Sequence, residues 1–262
     1  GALGGLKVVP DCGHGASSDV ASTVFTRLGA EVVALHVTPD GSNINDASGS
    51  THPESLRTAV VAEGAQLGFA FDGDADRMLA VDHQGRLIDG DQLIAVAAVD
   101  LKRRGLLVND TVVVTVMSNL GFRIGMAAEG IEVVDTAVGD RYVLEALDQG
   151  GHVLGGEQSG HIIFRDRATT GDGVLSAVVI AEIVARTGRP LADLADAAMT
   201  RLPQVLRNVR IEAPMPDVTV RIADELTAAA AALGADGRVL VRPSGTEPVV
   251  RVMVEAVDAV TA

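Results

Sequence analysis

Short valine-rich runs that alternate with amphipathic segments constrain this chain most. "LKVVPDC" reads as a strand, "SSDVASTVFTRLG" as a helix closed by Gly29, and "AEVVALHV" as the next strand. The order then recurs, with "TVVVTVM" as strand, "SNLGFRIGMAAEG" as helix closed by Gly130, and "IEVVDTAV" as strand. Strands alternating with helices are the α/β pattern. Two copies of strand, Ser-led turn, helix, glycine and "EVV" strand imply two similar α/β units in tandem, alike in topology with little identity.

After Pro203 the pattern changes. "QVLRNVRIE" reads as a strand, "TVRIADELTAAAAALG" as one helix, and "RVLVRPS" with "PVVRVMVEA" as a strand pair, which together make a small α+β unit. Only "VDAVTA" follows the last strand, so a covering helix that such a sheet wants is expected to be missing. The expected architecture is α/β: two tandem similar α/β domains with mixed sheets plus a partial α+β C-terminal domain. Boundaries near Leu87 and Thr200 divide it into residues 1–87, 88–200 and 201–262. The loop "PDGSNINDASGSTHP", Pro39 to Pro53, is too long for a mere connection and is expected to shape a surface near a functional site.

Composition narrows the function. The 262 residues suffice for more than one core. The 47% hydrophobic content lies in short runs, and the longest candidate, "AVVIAEIVA" at Ala177 to Ala185, carries Glu182, so no membrane span is expected. The amino terminus shows no secretion signal and Cys12 stands alone, which excludes an intrachain disulfide and points to the cytoplasm. A net charge of -14 with 2% aromatics argues against nucleic acid as a partner. Lys7 and Lys102 are the only lysines, so nearly all basic groups are Arg, the residue suited to bidentate phosphate contacts.

The stretch "FDGDADRMLAVD", Phe71 to Asp82, places Asp72, Asp74 and Asp76 on alternate positions between two apolar strands, with Gly73 allowing a sharp bend. Three converging carboxylates repel one another unless a cation sits among them. An all-oxygen set without His or Cys at metal spacing suits magnesium or calcium rather than zinc. The EF-hand loop needs Gly at its sixth position and Glu at its twelfth, where this chain has Arg77 and His83. A D-x-D phosphatase motif needs a small residue at Asp76 and a downstream lysine. A solvated acidic turn is the plain alternative. Arg77 beside such a loop is equipment for holding a phosphoryl group.

Three other loops carry chemical content. "RPSGTEP", Arg242 to Pro248, offers hydroxyls and backbone N–H groups to a phosphate, and Arg242 and Arg251 add charge from the flanking strands. "GGEQSGH", Gly155 to His161, offers Glu157 as acceptor and Ser159 as donor and acceptor, a set that fits sugar hydroxyls. "MSNLG", Met117 to Gly121, offers Ser118 or Asn119 as a helix cap whose amino end could hold an anion. An ordinary hairpin turn, a polar loop and simple capping account for these three segments equally well when each is taken alone.

In this order, "DGDADR", "GEQSGH" and "RPSGTEP" resemble the α-D-phosphohexomutase family across essentially the whole chain, as its second, third and part of its fourth domain. Gln158, "MSNLG", "VGDRYVLE" and "NIND" followed by "GSTHP" resemble the bacterial branch that acts on glucosamine phosphates; other branches usually have Met where Gln158 stands. The resemblance implies that Asp72, Asp74 and Asp76 hold Mg2+ and that Arg77 contacts the transferring phosphoryl group. It also implies that Glu157 and Ser159 bind sugar hydroxyls and that His161 lies near the same ring as a candidate acid or base. Arg242, Ser244, Gly245, Thr246 and Arg251 would grip the phosphate that is not reacting.

The implied activity interconverts glucosamine 6-phosphate and glucosamine 1-phosphate through a phosphoserine and a bisphosphosugar. Glucosamine 1,6-bisphosphate or glucose 1,6-bisphosphate would be the activator. The product would lead to UDP-N-acetylglucosamine and the cell wall. The family's phosphoserine loop has no counterpart here, since Ser17, Ser18 and Ser118 lie in other contexts, so the chain is expected to be a fragment that is inactive alone. The rival readings are a mutase of glucose or mannose phosphates, a noncatalytic module that binds magnesium and a phosphosugar, and a metal-dependent hydrolase. The expected partner is a small phosphosugar, with neither nucleic acid nor membrane.

Overall fold

The computed structural model of the protein describes residues 1–234, 237–243 and 248–262. It divides into two compact units: Gly1–Ser118 with Phe122–Thr200, and Asn119–Gly121 with Arg201–Ala262.

The first unit opens with β1 (Lys7–Asp11), α1 (Val20–Arg27), β2 (Glu31–Val32), α2 (Glu54–Ala62), β3 (Leu67–Phe71), β4 (Met78–Asp82), β5 (Leu87–Ile88) and α3 (Gly90–Arg103). The sheet order is β2-β1-β3-β4-β5, with β1 parallel to β2 and β3, and β4 and β5 added antiparallel. The chain then runs through β6 (Thr111–Thr115), α4 (Leu120–Ala128), β7 (Glu132–Thr136), α5 (Asp140–Gly150), β8 (Leu154–Gly156), β9 (Ile162–Phe164), α6 (Gly173–Thr187) and α7 (Leu191–Ala198). Its sheet order, β7-β6-β8-β9, repeats the first: two parallel pairs around β6 and an antiparallel β9. The tandem α/β repeat and the mixed sheets are therefore as expected.

Local departures have local causes. The first helix begins at Val20 rather than Ser17, because Ser18 turns back to bond the Gly15 carbonyl through both its N–H and its hydroxyl. The run "AEVVALHV" forms only β2 and one bridge from Leu35 to Asp11, since His36 takes a left-handed φ of 50° that ends the edge strand. In α3 the residues from Gly90 to Leu101 are all buried, with Asp91, Gln92 and Asp100 among an otherwise apolar run. It packs against β4 of one sheet, β8 of the other, and α6 and α7. Asp89 caps it by accepting from Gln92 N–H at 3.1 Å, and Lys102 and Arg103 complement the dipole in its last turn.

At the carboxyl end of β1, Asp11 is fully buried and acts as a hub. Its Oδ1 accepts the N–H groups of Gly13 at 3.0 Å and Gly49 at 3.1 Å, and lies 2.9 Å from His36 Nδ1. Around it His14, His36, Asn45 and Ala47 all take positive φ, a conformation that costs a non-glycine residue roughly 1 kcal/mol or more. The 39–53 loop is tied to this hub through Gly49 N–H on Asp11 and Asn45 N–H on Gly13 O at 2.8 Å.

The second unit contains β10 (Gln204–Arg210), α8 (Val218–Arg221), α9 (Ala223–Leu233), β11 (Arg238–Pro243) and β12 (Val249–Glu255). The strands pair antiparallel in the order β10-β12-β11. The single helix expected over "TVRIADELTAAAAALG" is instead two, broken at Ile222 (φ -111°, ψ 28°), where the β-branched run Val218, Thr219, Val220 and Ile222 disfavours a continuous helix. Glu255 is fully buried against Arg238 at 2.6 Å and accepts the Leu120 N–H at 3.2 Å. An internal carboxylate therefore occupies the helix start at "MSNLG" that offered itself to an anion. Among the described residues, no helix is long and apolar enough to cross a membrane.

Asp11→Ala strands several donors at once. Urea unfolding should show a loss of about 3 kcal/mol, with earlier proteolysis within residues 39–53; a loss well under about 1 kcal/mol would show that the hub does not hold the loop.

Candidate functional site

The acidic loop joins β3 to β4, beyond the carboxyl end of β3. Asp72 organises it: its carbonyl accepts Ala75 N–H at 3.1 Å and its Oδ1 accepts Arg77 N–H at 3.1 Å. Ala75 takes a left-handed φ of 62° to make the turn. Neighbouring loops hold it from both sides, Ala16 N–H bonding Gly73 O at 2.9 Å and Gly173 N–H bonding Ala75 O at 2.9 Å. One carboxylate oxygen from each of Asp72, Asp74 and Asp76 lies within 4.8 Å of the others.

The electrostatics of the loop are unbalanced. The Asp72 carboxyl is pushed up to about 6, first by burial; the Arg77 N–H works against this, and Asp76 and the charge of Asp74 add to it. The Arg77 guanidinium lies 4.0 Å from Asp72 and 3.9 Å from Asp76, with 49% of its side chain exposed. It does not neutralise three carboxylates, and it remains able to turn toward a ligand. A set of hard oxygen donors lacking a close counter-charge fits a magnesium-type cation.

The "GEQSGH" loop joins β8 to β9, the place in the second repeat that the acidic loop holds in the first. The two loops touch. Met78 N–H donates to Gly160 O at 3.0 Å, and Gly160, at φ 95°, leaves no room for a side chain, since a Cβ there would lie 2.3 Å from Met78 O. Glu157 Oε1 accepts Gly139 N–H at 3.0 Å and its Oε2 lies 3.4 Å from Ser159 Oγ, so Glu157 and Ser159 present a shared polar edge. Gln158 O accepts Gly90 N–H at 3.1 Å, which fixes the back of the loop to the start of α3.

His161 ends the loop. It is 2% exposed and both ring nitrogens are engaged, Nδ1 with Asp76 Oδ2 at 3.1 Å and Nε2 with Gly171 N–H at 3.2 Å.

A cavity of about 1030 Å³ opens beside the acidic loop, and Asp74, Asp76, Ser17, Thr169, Thr170 and Asp172 are among its lining residues. The 165–172 segment went unnoticed in the sequence, although "TTGDG" between a strand and a helix carried a glycine and hydroxyl signal. Ser17 Oγ is buried there with no hydrogen-bond partner among the described residues.

In the second unit, Arg242 on β11 stands directly opposite Arg251 on β12. Like charges paired across strands repel. Burial and then Arg251 hold the Arg242 guanidinium below its ordinary range, and its Nε is buried with no partner among the described residues. Asn208 on β10 adjoins Arg251 in the same row. Ser244, Gly245 and Thr246 lie outside the described residues.

Fold and site together define a class: a tandem α/β protein with an acidic loop built for a divalent cation. Sequence models described as phosphoglucomutase/phosphomannomutase alpha/beta/alpha domain II, domain III and C-terminal domain match residues 2–85, 89–202 and 192–262. The chain belongs to the phosphoglucomutase/phosphomannomutase family. It is 59% identical to a phosphoglucosamine mutase of Frankia casuarinae over 97% of this chain and 56% of that protein. With a phosphoglucosamine mutase of Acidothermus cellulolyticus it shares 60% identity over 97% of this chain and 55% of that protein. The chain thus spans a little over half the length of these relatives. A crystal structure of a phosphoglucomutase/phosphomannomutase family protein from Burkholderia thailandensis matches with a TM-score of 0.80 and 29% identity, over 97% of this chain and 57% of that one. The fold also matches an Aspergillus fumigatus N-acetylphosphoglucosamine mutase, solved with GlcNAc-6P and magnesium, at a TM-score of 0.79 and 21% identity over 100% of this chain and 65% of that one.

The raised Asp72 carboxyl makes cation binding compete with a proton. Calorimetric magnesium titrations should show affinity falling about tenfold per unit as pH drops below about 6, with proton release on binding. Without metal, protonated Asp72 stabilises the fold below the ordinary aspartate range, and this is lost as pH rises through about 6; the shift in melting temperature caused by magnesium should grow across that interval. Asp72→Asn should remove both trends; their persistence would place the titrating group elsewhere.

Proposed function

We propose that this chain supplies the metal-, sugar- and phosphate-binding parts of a phosphoglucosamine mutase, organised as three domains over residues 1–87, 88–200 and 201–262. The observation that carries the reading is the contact between two loops in equivalent places of the two repeats, one acidic and one rich in hydrogen-bonding groups. The names of the Frankia and Acidothermus relatives support the choice of substrate.

In this reading Asp72, Asp74 and Asp76 bind Mg2+, which when bound supplies positive charge to the oxygens of a phosphoryl group in transfer. Arg77, half exposed at the rim, contacts the same phosphoryl oxygens. Glu157 accepts from the sugar hydroxyls with the acceptor capacity that Gly139 leaves free, and Ser159 both donates and accepts. Arg242 and Arg251, with Ser244, Gly245 and Thr246, take a phosphate group, whose charge relieves the repulsion of the arginine pair.

A phosphoserine, which the family resemblance requires, would donate its phosphoryl group to a sugar hydroxyl oxygen. Phosphorus–oxygen bond formation to the sugar accompanies cleavage of the bond to serine. Glucosamine 1,6-bisphosphate results, and return of its other phosphate to the serine completes the exchange. Added glucosamine 1,6-bisphosphate or glucose 1,6-bisphosphate would therefore act as activator.

The test is isomerisation of glucosamine 6-phosphate by the complete enzyme. Asp74→Asn should lower kcat by about a thousandfold or more with the melting temperature retained. Arg242→Ala should act mainly through KM, raising it about tenfold or more. Undiminished turnover by Asp74→Asn would remove the acidic loop from the mechanism. A higher kcat/KM for glucose or mannose phosphates would assign the other substrate branch.

A further inference from the structure

The 39–53 loop meets the acidic loop at its tip. Gly73, between Asp72 and Asp74, is buried, and a Cβ built on it would lie 2.6 Å from Ile44 Cδ1, 2.9 Å from Ile44 Cγ1 and 3.1 Å from Asn45 Nδ2. Those separations leave no room for a methyl group, so Ile44 and Asn45 lie directly on the Gly73 backbone. From the other side Ala16 N–H bonds Gly73 O at 2.9 Å, and a Cβ on Gly15 would lie 2.4 Å from that oxygen. Gly73 is thus clamped between two loops. At the residue before Asp72 the approach is as close, since a Cβ on Gly49 would lie 2.3 Å from Phe71 O.

The tip that makes this contact is itself fixed. Asn45 N–H donates to Gly13 O at 2.8 Å, Gly49 N–H to Asp11 Oδ1 at 3.1 Å, and Asn43 Nδ2 to Thr38 O at 3.0 Å. Asn45 takes a φ of 57°, a conformation that asparagine tolerates better than most side chains. Ile44 is 53% exposed, so trimming it removes the contact on Gly73 at little cost to the core. Three carboxylates in one turn push it open when no cation sits among them. A clamp on the glycine between two of them opposes that opening. We infer that Ile44 and Asn45 are positioning residues, which close the tip of the 39–53 loop over Gly73 and hold the acidic turn in the shape that brings its three carboxylates together. The inference rests on the reading of Asp72, Asp74 and Asp76 as a magnesium site.

Magnesium titrated calorimetrically into the 262-residue chain tests it. Ile44→Ala opens the clamp and should bind about tenfold more weakly, whereas Ile44→Leu, which keeps the apolar bulk, should stay within about threefold of the wild type. In the metal-free chain the amides of Ala75 and Arg77, both bonded to Asp72, should exchange hydrogen about tenfold faster in Ile44→Ala, with those of Val8 and Val9 unchanged. Wild-type affinity in Ile44→Ala would overturn the inference, as would unchanged exchange at Ala75 and Arg77, or Ile44→Leu as weak as Ile44→Ala. Should Ile44→Ala fail to fold, Gly73→Ala decides: its methyl group lifts the tip from the acidic loop and should weaken binding about tenfold, and wild-type affinity overturns the inference. Failure of the wild-type chain to bind magnesium would remove the metal reading and this inference with it; binding by the wild type that Ile44→Ala equals would remove this inference alone.

Discussion

The hydrogen bond from Met78 N–H to Gly160 O makes the site a single object. Each α/β repeat ends its third parallel strand in a turn and returns antiparallel, so each offers one loop at that place. Separately these would be two unrelated turns. Gly160 allows the second to lie against the first strand of the return, and α3 fixes it from behind through Gly90. Because α3 packs against β4 and β8 together, the contact between the loops is backed by apolar packing rather than left to the loops themselves.

Several buried acids are paired closely with arginine: Asp82 with Arg86 at 2.9 Å, Asp100 with Arg186 at 2.5 Å, and Glu255 with Arg238 at 2.6 Å. Leaving such groups unpaired is expensive, and pairing offsets it. The acidic loop differs: its nearest guanidinium is Arg77 near 4 Å, and His161 Nδ1 lies 3.1 Å from Asp76. In the second unit Arg242 stands opposite Arg251, a like-charge pairing across two strands.

Much of this was legible in the sequence, and what was not has a physical explanation. The element order, the tandem repeat and the acidic loop all depend on residues close together in the chain: valine runs, helix-closing glycines and alternate aspartates. The placement of His161 between Asp76 and Gly171 is one that no local spacing foretells. The hub at Asp11 likewise draws its donors from residues 13, 36 and 49. The capture of the α4 start by Glu255 is a tertiary event that capping signals cannot foretell. The break at Ile222 was visible in principle, since four β-branched residues in five argue against an unbroken helix, but the alanine run beyond them dominates the reading.

The two loops also show how a repeat acquires chemistry. Phe71 pairs with Met78 around residues 72–77, and Gly156 pairs with Ile162 around residues 157–161, so similar turns stand on similar strands. One has filled with aspartates and the other with Glu157, Ser159 and His161. The hydrogen bond between Met78 and Gly160 sets the groups of the two loops at a fixed separation, so their relative placement is built into the backbone. The 157–161 loop is thereby tied to its neighbour, since Gly160 O accepts the Met78 N–H and His161 Nδ1 lies against Asp76 Oδ2.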